Sequence, residues 1–241
     1  MARAYPRSNQ LYWVKDNIIA GDFPDISKAL KDPDGLLAIG GDLAPERLLD
    51  AYVRGIFPWN NDVQPVLWWS PDPRWVLFPE NLKISRSLHK TLHKGIYEIT
   101  FNKNFSRVIE MCAGPRKNSD GTWITHGIIE GFTRLHKQGY AHSVECWHEG
   151  KLVGGLYGIA IDRIFFGESM FSKMNDASKA ALVHLVRVLT NLDFKLIDCQ
   201  VYSKHLDSLG ATPIPRDDFA AILADYCKPG IKPHLPEQPV P

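Results

Sequence analysis

Two polar clusters, Gly167-Glu168-Ser169 and Asp198-Cys199-Gln200, interrupt strand-like apolar runs, and their residue types suit hydrogen bonding and proton transfer. Read with a period of two, Leu196 to Val201 puts Ile197, Cys199 and Val201 on one face and Asp198 with Gln200 on the other. A carboxylate and a carboxamide then point the same way. Burying an unpaired amide costs roughly 1 to 3 kcal/mol and burying a charge costs more, so the pattern suggests a pocket; a satisfied structural pair is the other reading.

The elements that must hold these clusters follow from the flanking sequence. Ala177 to Leu192, rich in Ala, Leu and Val, reads as a buried helix with Asn175, Asp176 or Ser178 as its N-cap. Upstream, Ala141 to Trp147, Lys151 to Ala160 and Arg163 to Phe171 read as three antiparallel strands joined through Glu149-Gly150 and Ile161-Asp162, with a helix at Gly127 to Gln138 before them. That order resembles the fold of the N-acetyltransferase superfamily. The expected class is α+β: a small irregular N-terminal module over residues 1–72, then an N-acetyltransferase-like mixed sheet with flanking helices over 73–228, then a Pro-rich tail over 229–241 without packed structure.

A chain of 241 residues can bury a sizeable core without staples. Its four cysteines are widely spaced and form no CxxC pair, which argues against a disulfide framework or a zinc site and for a reducing cytoplasm. No apolar signal core opens the chain and no long uncharged run could span a bilayer, so no membrane partner is expected. The 28 basic and 27 acidic residues nearly balance, which leaves local clustering to decide what the surface binds.

Eight prolines punctuate the first 73 residues, where Pro45 to Arg54 reads as the one clear helix and Gly35 to Gly41 as a tight apolar turn that serves packing. Trp68 and Trp69 read as core, whereas Trp59, ahead of Asn60-Asn61-Asp62, reads as a ring exposed enough to stack on a ligand. Between Ser85 and Gly95, Arg86, His89, Lys90 and His93 recur at i, i+3, i+4 and i+7, which makes one helix face basic. A solvated face and a phosphate-binding face both fit. The i, i+4 spacing of His89 and His93 also suits a metal pair, but no acidic or cysteine partner lies nearby, so no metal is expected. Gly114 to Thr122 reads as a mobile loop, His205 to Leu209 as a short helix and Asp217 to Tyr226 as a last amphipathic helix.

Gly40-Gly41-Asp42-Leu43, Gly55-Ile56-Phe57-Pro58-Trp59, Trp68-Trp69-Ser70-Pro71-Asp72-Pro73-Arg74, Thr122-Trp123-Ile124-Thr125, Phe166-Gly167-Glu168-Ser169-Met170-Phe171 and Leu196-Ile197-Asp198-Cys199-Gln200 together resemble the leucyl/phenylalanyl-tRNA-protein transferase family, from about Phe23 to Phe219. Two departures stand out. Asp176-Ala177-Ser178-Lys179 replaces the family's usual Asn-Ala-Ser-Lys, with Asp an equally good helix cap, and His89 and His93 occupy positions that can carry Lys.

The resemblance implies transfer of Leu or Phe, less readily Met, from aminoacyl-tRNA to proteins or peptides with an N-terminal Arg or Lys, which marks them for degradation. No cofactor and no DNA are implied. The α-amine must be oriented and deprotonated to attack the aminoacyl ester. Gln200 is expected to accept its hydrogen bond, Asp198 to polarise Gln200 or the attacking group, and Glu168 to support Gln200 or pair with the acceptor side chain. The resemblance further assigns Trp59 and Trp123 to the tRNA 3′-adenosine, Leu156, Phe165, Leu182, Leu185 and Ile197 to the donor side-chain pocket, and Arg86, His89, Lys90 and Lys94 to tRNA phosphates. Two other functions compete: an acetyl-coenzyme A dependent N-acetyltransferase, which Ser172 to Ala177 disfavours for want of a Gly-rich pyrophosphate loop, and a non-catalytic RNA-binding module.

Overall fold

The computed structural model describes residues 11–16, 21–59, 65–114 and 123–236. Most of the expected loop at 114–122, with Asn60-Asn61-Asp62 and the end of the tail, lies outside them. Strands β1 (Tyr12–Val14) and β2 (Leu36–Gly40) lead to helix α1 (Pro45–Val53), and β3 (Phe57–Pro58) and β4 (Leu67–Trp69) complete a four-stranded sheet ordered β1-β2-β4-β3. The Gly35 to Gly41 run is thus a strand rather than a tight turn. Its apolar residues do serve packing, with Leu37 and Ala38 buried.

After β5 (Arg74–Leu77) come α2 (Arg86–His93), β6 (Glu98–Phe101), α3 (Phe105–Ala113) and α4 (His126–Lys137). The meander of β7 (Ala141–His148), β8 (Lys151–Ile161) and β9 (Ile164–Ser172) then feeds α5 (Ala177–Asn191) and β10 (Leu196–Gln200). A short α6 (Lys204–Asp207), β11 (Thr212–Ile214) and α7 (Arg216–Tyr226) follow. The large sheet is ordered β11-β5-β10-β9-β8-β7-β6, and β9 pairs with β10 in parallel while its other pairs are antiparallel. This is the expected α+β class, a mixed sheet with flanking helices.

Both faces of the large sheet are covered, which is why its strands read as nearly continuous apolar runs. Leu156, Phe165 and Ile197 point into a core shared with α5 and α2, and the alternate residues Tyr157, Phe166 and Leu196 into a second core shared with α1, α3, α4, α7 and the small sheet. The hairpin turn at Glu149-Gly150 is as expected, with φ values of 49° and 71°. The tail departs from expectation: Leu235 is 1% exposed in the α5 core, and Lys232 lies over the Tyr140 ring. Proline stiffness there limits the entropy lost on packing.

Asp176 precedes α5 as expected but does not cap it. Its φ is 59° and its carboxylate takes Lys179 and Thr91 instead, while Ser172 Oγ accepts from the Ser178 amide at 3.3 Å.

Candidate active site

Strands β9 and β10 pair only as far as Phe166 opposite Asp198, although β9 continues to Ser172 and β10 to Gln200. A cleft of about 600 Å³ opens where that pairing ends. Because successive residues face opposite sides, the cleft receives apolar side chains from the α5 side and polar ones from the other.

The polar side centres on Glu168, 8% exposed. Its Oε1 accepts from Tyr52 Oη at 2.7 Å and from Gln200 Nε2 at 2.8 Å, while its Oε2 is buried with no hydrogen-bond partner among the described residues. Burial pushes the Glu168 carboxyl up to about 8, helped by the nearby Asp198 charge and opposed by the donors Tyr52 and Gln200 and by Arg74. Burial, then Glu168, holds the Tyr52 phenol well above its usual range, so Tyr52 serves as a donor.

Asp198 is fully buried and differently employed. Arg74 Nε and Nη2 donate to its two oxygens at 2.8 and 2.6 Å, and the Gln200 amide donates to Oδ1 at 2.9 Å. The guanidinium also donates to Gly55 O and lies 4.7 and 4.6 Å from the ring centroids of Phe57 and Phe219. The simple alternation expected for β10 breaks here. Its register against β5 shifts between Asp198 and Gln200, and Gln200 takes a left-handed φ of 64°, a conformation costing a non-glycine residue roughly 1 to 2 kcal/mol. The Asp198 carboxylate ties that backbone down, and the Gln200 carboxamide reaches Glu168.

Leu156, Phe165, Leu182, Leu185 and Ile197 all line the apolar side of the cleft. Trp59, 41% exposed, and the half-buried Trp123 line it as well. Trp68 is core as expected, but Trp69 is only half-buried and meets Trp59 at 5.8 Å between centroids. Arg86, His89 and Lys90 on α2 and Lys94 at its C-cap are exposed, and α2 packs on α5 away from the cleft lining. The Nε2 atoms of His89 and His93 lie 3.2 Å apart, and among the described residues no group of three or more His, Cys, Asp or Glu gathers around a metal position. Cys199 borders the cleft, but burial raises its thiol far above neutrality, which leaves no thiolate nucleophile.

Sequence reasoning missed Tyr52 and Arg74, which meet Glu168 and Asp198 across 116 and 124 residues of chain. Arg74 left a signal: one guanidinium opening the apolar run Arg74-Trp75-Val76-Leu77-Phe78 demands an internal anion.

The family model for leucyl/phenylalanyl-tRNA protein transferase matches residues 76–224, and the model for that protein's N-terminal domain matches 41–72. A leucyl/phenylalanyl-tRNA–protein transferase of Nitrosospira multiformis is 58% identical over 84% of this chain and 88% of its own. One from Cellvibrio japonicus is 57% identical over 85% and 87%. Among solved structures, L-PGS from Bacillus licheniformis is 12% identical with a TM-score of 0.39, over 63% of this chain and 50% of that one. No described helix is long and apolar enough to cross a membrane. With its sequence matched across both units at this identity, the chain belongs to the leucyl/phenylalanyl-tRNA–protein transferase family and is an aminoacyltransferase.

Proposed function

We propose that this enzyme works in the cytoplasm, moving Leu or Phe, and less readily Met, from aminoacyl-tRNA to the α-amine of proteins that begin with Arg or Lys, and so marks them for degradation. Residues 1–72 form the module that contributes Trp59, and 73–228 the unit that carries the transfer chemistry. The observation that carries this reading is a single cleft with an apolar pocket on one side and a half-satisfied carboxyl on the other. The donor side chain lies among Leu156, Phe165, Leu182, Leu185 and Ile197, and the terminal adenosine against Trp59 and Trp123. An apolar pocket of this kind discriminates by only about 1 to 3 kcal/mol per methylene, so leakage to Met follows.

The acceptor nitrogen attacks the ester carbonyl carbon, the new C–N bond forms, and the C–O bond to the ribose breaks. An α-ammonium group has a pKa of about 7.7 to 8, matched to Glu168, so proton transfer between them is nearly even in energy. In its ionised form Glu168 takes the ammonium proton on Oε2 and returns it to the departing ribose oxygen, and the second proton, shed by the nitrogen as the C–N bond forms, leaves to water. Because Gln200 spends its amide N–H on Glu168, its own Oε1 is left to accept from the amine and aim it. Asp198, saturated by Arg74 and the Gln200 amide, is a positioning residue in this scheme, as is Arg74. Arg86, His89, Lys90 and Lys94 hold tRNA phosphates farther out.

Acetyl-coenzyme A fits less well. Its pyrophosphate would need the amino end of α5, where Ser172 Oγ already caps Ser178, and a Cβ built on Gly154 would stand 2.6 Å from the Ala177 Cβ. The test is to offer an Arg-initiated peptide with either labelled Leu-tRNA or labelled acetyl-coenzyme A. Label moving from Leu-tRNA supports the proposal, label moving from acetyl-coenzyme A replaces it, and no transfer to a peptide beginning with Arg or Lys removes it.

A further inference from the structure

The small sheet carries an apolar row that stands outside both cores of the described residues. Trp59 donates its amide to Leu67 O, Leu67 is opposite Ile39, and Ile39 is opposite Trp13, which places one residue from each strand or strand end on the same face. On the opposite face Val14, Ala38 and Trp68 are fully buried, and only Tyr12 at the strand end is exposed among its apolar residues in the described pairing. Trp13 is 62% exposed, Trp59 is 41% exposed, and Ile39 and Leu67 are half-buried. None of the four belongs to either apolar core, and the row contains no charge.

The direction of this row matters. Strand β3 with Trp59 borders the cleft, so the order β3-β4-β2-β1 leads away from it across three strand spacings, roughly 14 Å. An RNA whose terminal nucleoside sits at Trp59 is covalently bound to leave along a path beginning there. Unpaired bases stack on aromatic and apolar side chains whatever their identity, at about 1 to 3 kcal/mol per base.

We propose that Trp13, Ile39 and Leu67 form a stacking platform for the single-stranded nucleotides immediately preceding the terminal adenosine of the donor RNA, continuous with the ring of Trp59. This rests on the cleft being the aminoacyl-RNA site. The platform gives the enzyme a grip on the RNA end that is independent of base identity and of the cationic helix α2. Its contribution is therefore insensitive to salt, unlike phosphate contacts.

The experiment compares a non-hydrolysable leucyl-adenosine with a leucyl-trinucleotide carrying two further unpaired nucleotides, on the full chain and on Trp13→Ala and Trp13→Phe. Trp13 is so exposed that its truncation should not unfold the protein. The platform predicts a 5- to 150-fold loss of trinucleotide affinity in Trp13→Ala, little loss in Trp13→Phe, and unchanged leucyl-adenosine affinity in both. Replacing the two added bases should change little, and removing them to leave abasic sugars should reproduce the Trp13→Ala loss. Equal trinucleotide affinity in the wild type and Trp13→Ala overturns the platform. A raised KM for a protein acceptor with unchanged trinucleotide binding would overturn it too, and would give the face to the protein substrate. If leucyl-adenosine itself fails to bind the wild-type cleft, it is the aminoacyl-RNA reading of the cleft that fails.

Discussion

Glu145 on β7 and Glu168 on β9 are both buried carboxyls on the large sheet, yet their surroundings differ in kind. Glu145 Oε2 accepts from Thr100 at 2.6 Å and from the Lys103 amide, and Oε1 accepts from Ser143 at 2.5 Å and from the Asn104 amide. Both oxygens are filled, and the group ties β6 to the start of α3. Glu168 crowds two donors onto one oxygen and leaves the other with no partner among the described residues, at the edge of a cleft. A saturated buried carboxyl lowers the energy of the fold, whereas a half-satisfied one beside a cavity retains capacity for a substrate's proton.

The strongest way to break that contrast is to replace each group by its neutral isostere. Glu168→Gln is expected to lower kcat by about 10²- to 10⁴-fold with donor affinity intact, measured in single-turnover transfer to an Arg-initiated peptide. Stability should move the opposite way. The Glu168 carboxyl is raised from 4.5 to about 8, so the wild type loses stability as pH rises through that window, because its unfolded chain ionises first. Glu168→Gln does not, and its Tm advantage should grow from pH 5 to pH 8.

Next in size, Arg74→Ala strands the Asp198 charge and should cost about 3 to 5 kcal/mol in denaturant unfolding. Arg74→Lys, which keeps a charge but loses the fork, should recover part of the stability while leaving kcat low and the pH profile of kcat unmoved. A shifted profile would place Asp198 in the proton pathway. Glu145→Gln should cost only about 1 to 3 kcal/mol of stability and leave kcat alone; a fall in kcat in the folded protein would erase the distinction between the two sites.

The smallest effect sharpens the comparison. His142 sits in the Glu145 corner, its ring buried and its Nδ1 3.1 Å from Asn102 Nδ2. A buried titratable group without a cleft should bring only a pH cost. Burial, then His136, lowers its pKa from 6.5 to about 4, so stability is present above 6.5 and lost as pH falls through 4. His142→Gln should flatten that acid limb in a thermal melt series without touching transfer.

Much of this was legible in the sequence because local rules and burial agreed. The meander from Ala141, the Glu149-Gly150 turn and helix α5 follow from periodicity and turn chemistry, and Glu168, Asp198 and Gln200 stood out as polar residues in apolar strands. What could not be read depended on distant partners. Nothing local distinguishes Glu145 from Glu168, since one is filled by Thr100 and Ser143 and the other by Tyr52 and Gln200. Gln200's left-handed backbone, the strand at Leu36–Gly40 and the buried Leu235 likewise depend on neighbours far along the chain.

The proton-accepting role of Glu168 is tested most directly by titrating its carboxyl in the free enzyme, by carbon-13 resonance or isotope-edited infrared, with Glu168→Gln to identify the signal. The account predicts a signal missing from that variant which titrates near pH 8. A midpoint at ~4.3, the ordinary value for a glutamate, would make the carboxylate too weak a base to match an amine of pKa about 7.7 to 8 and would contradict the account.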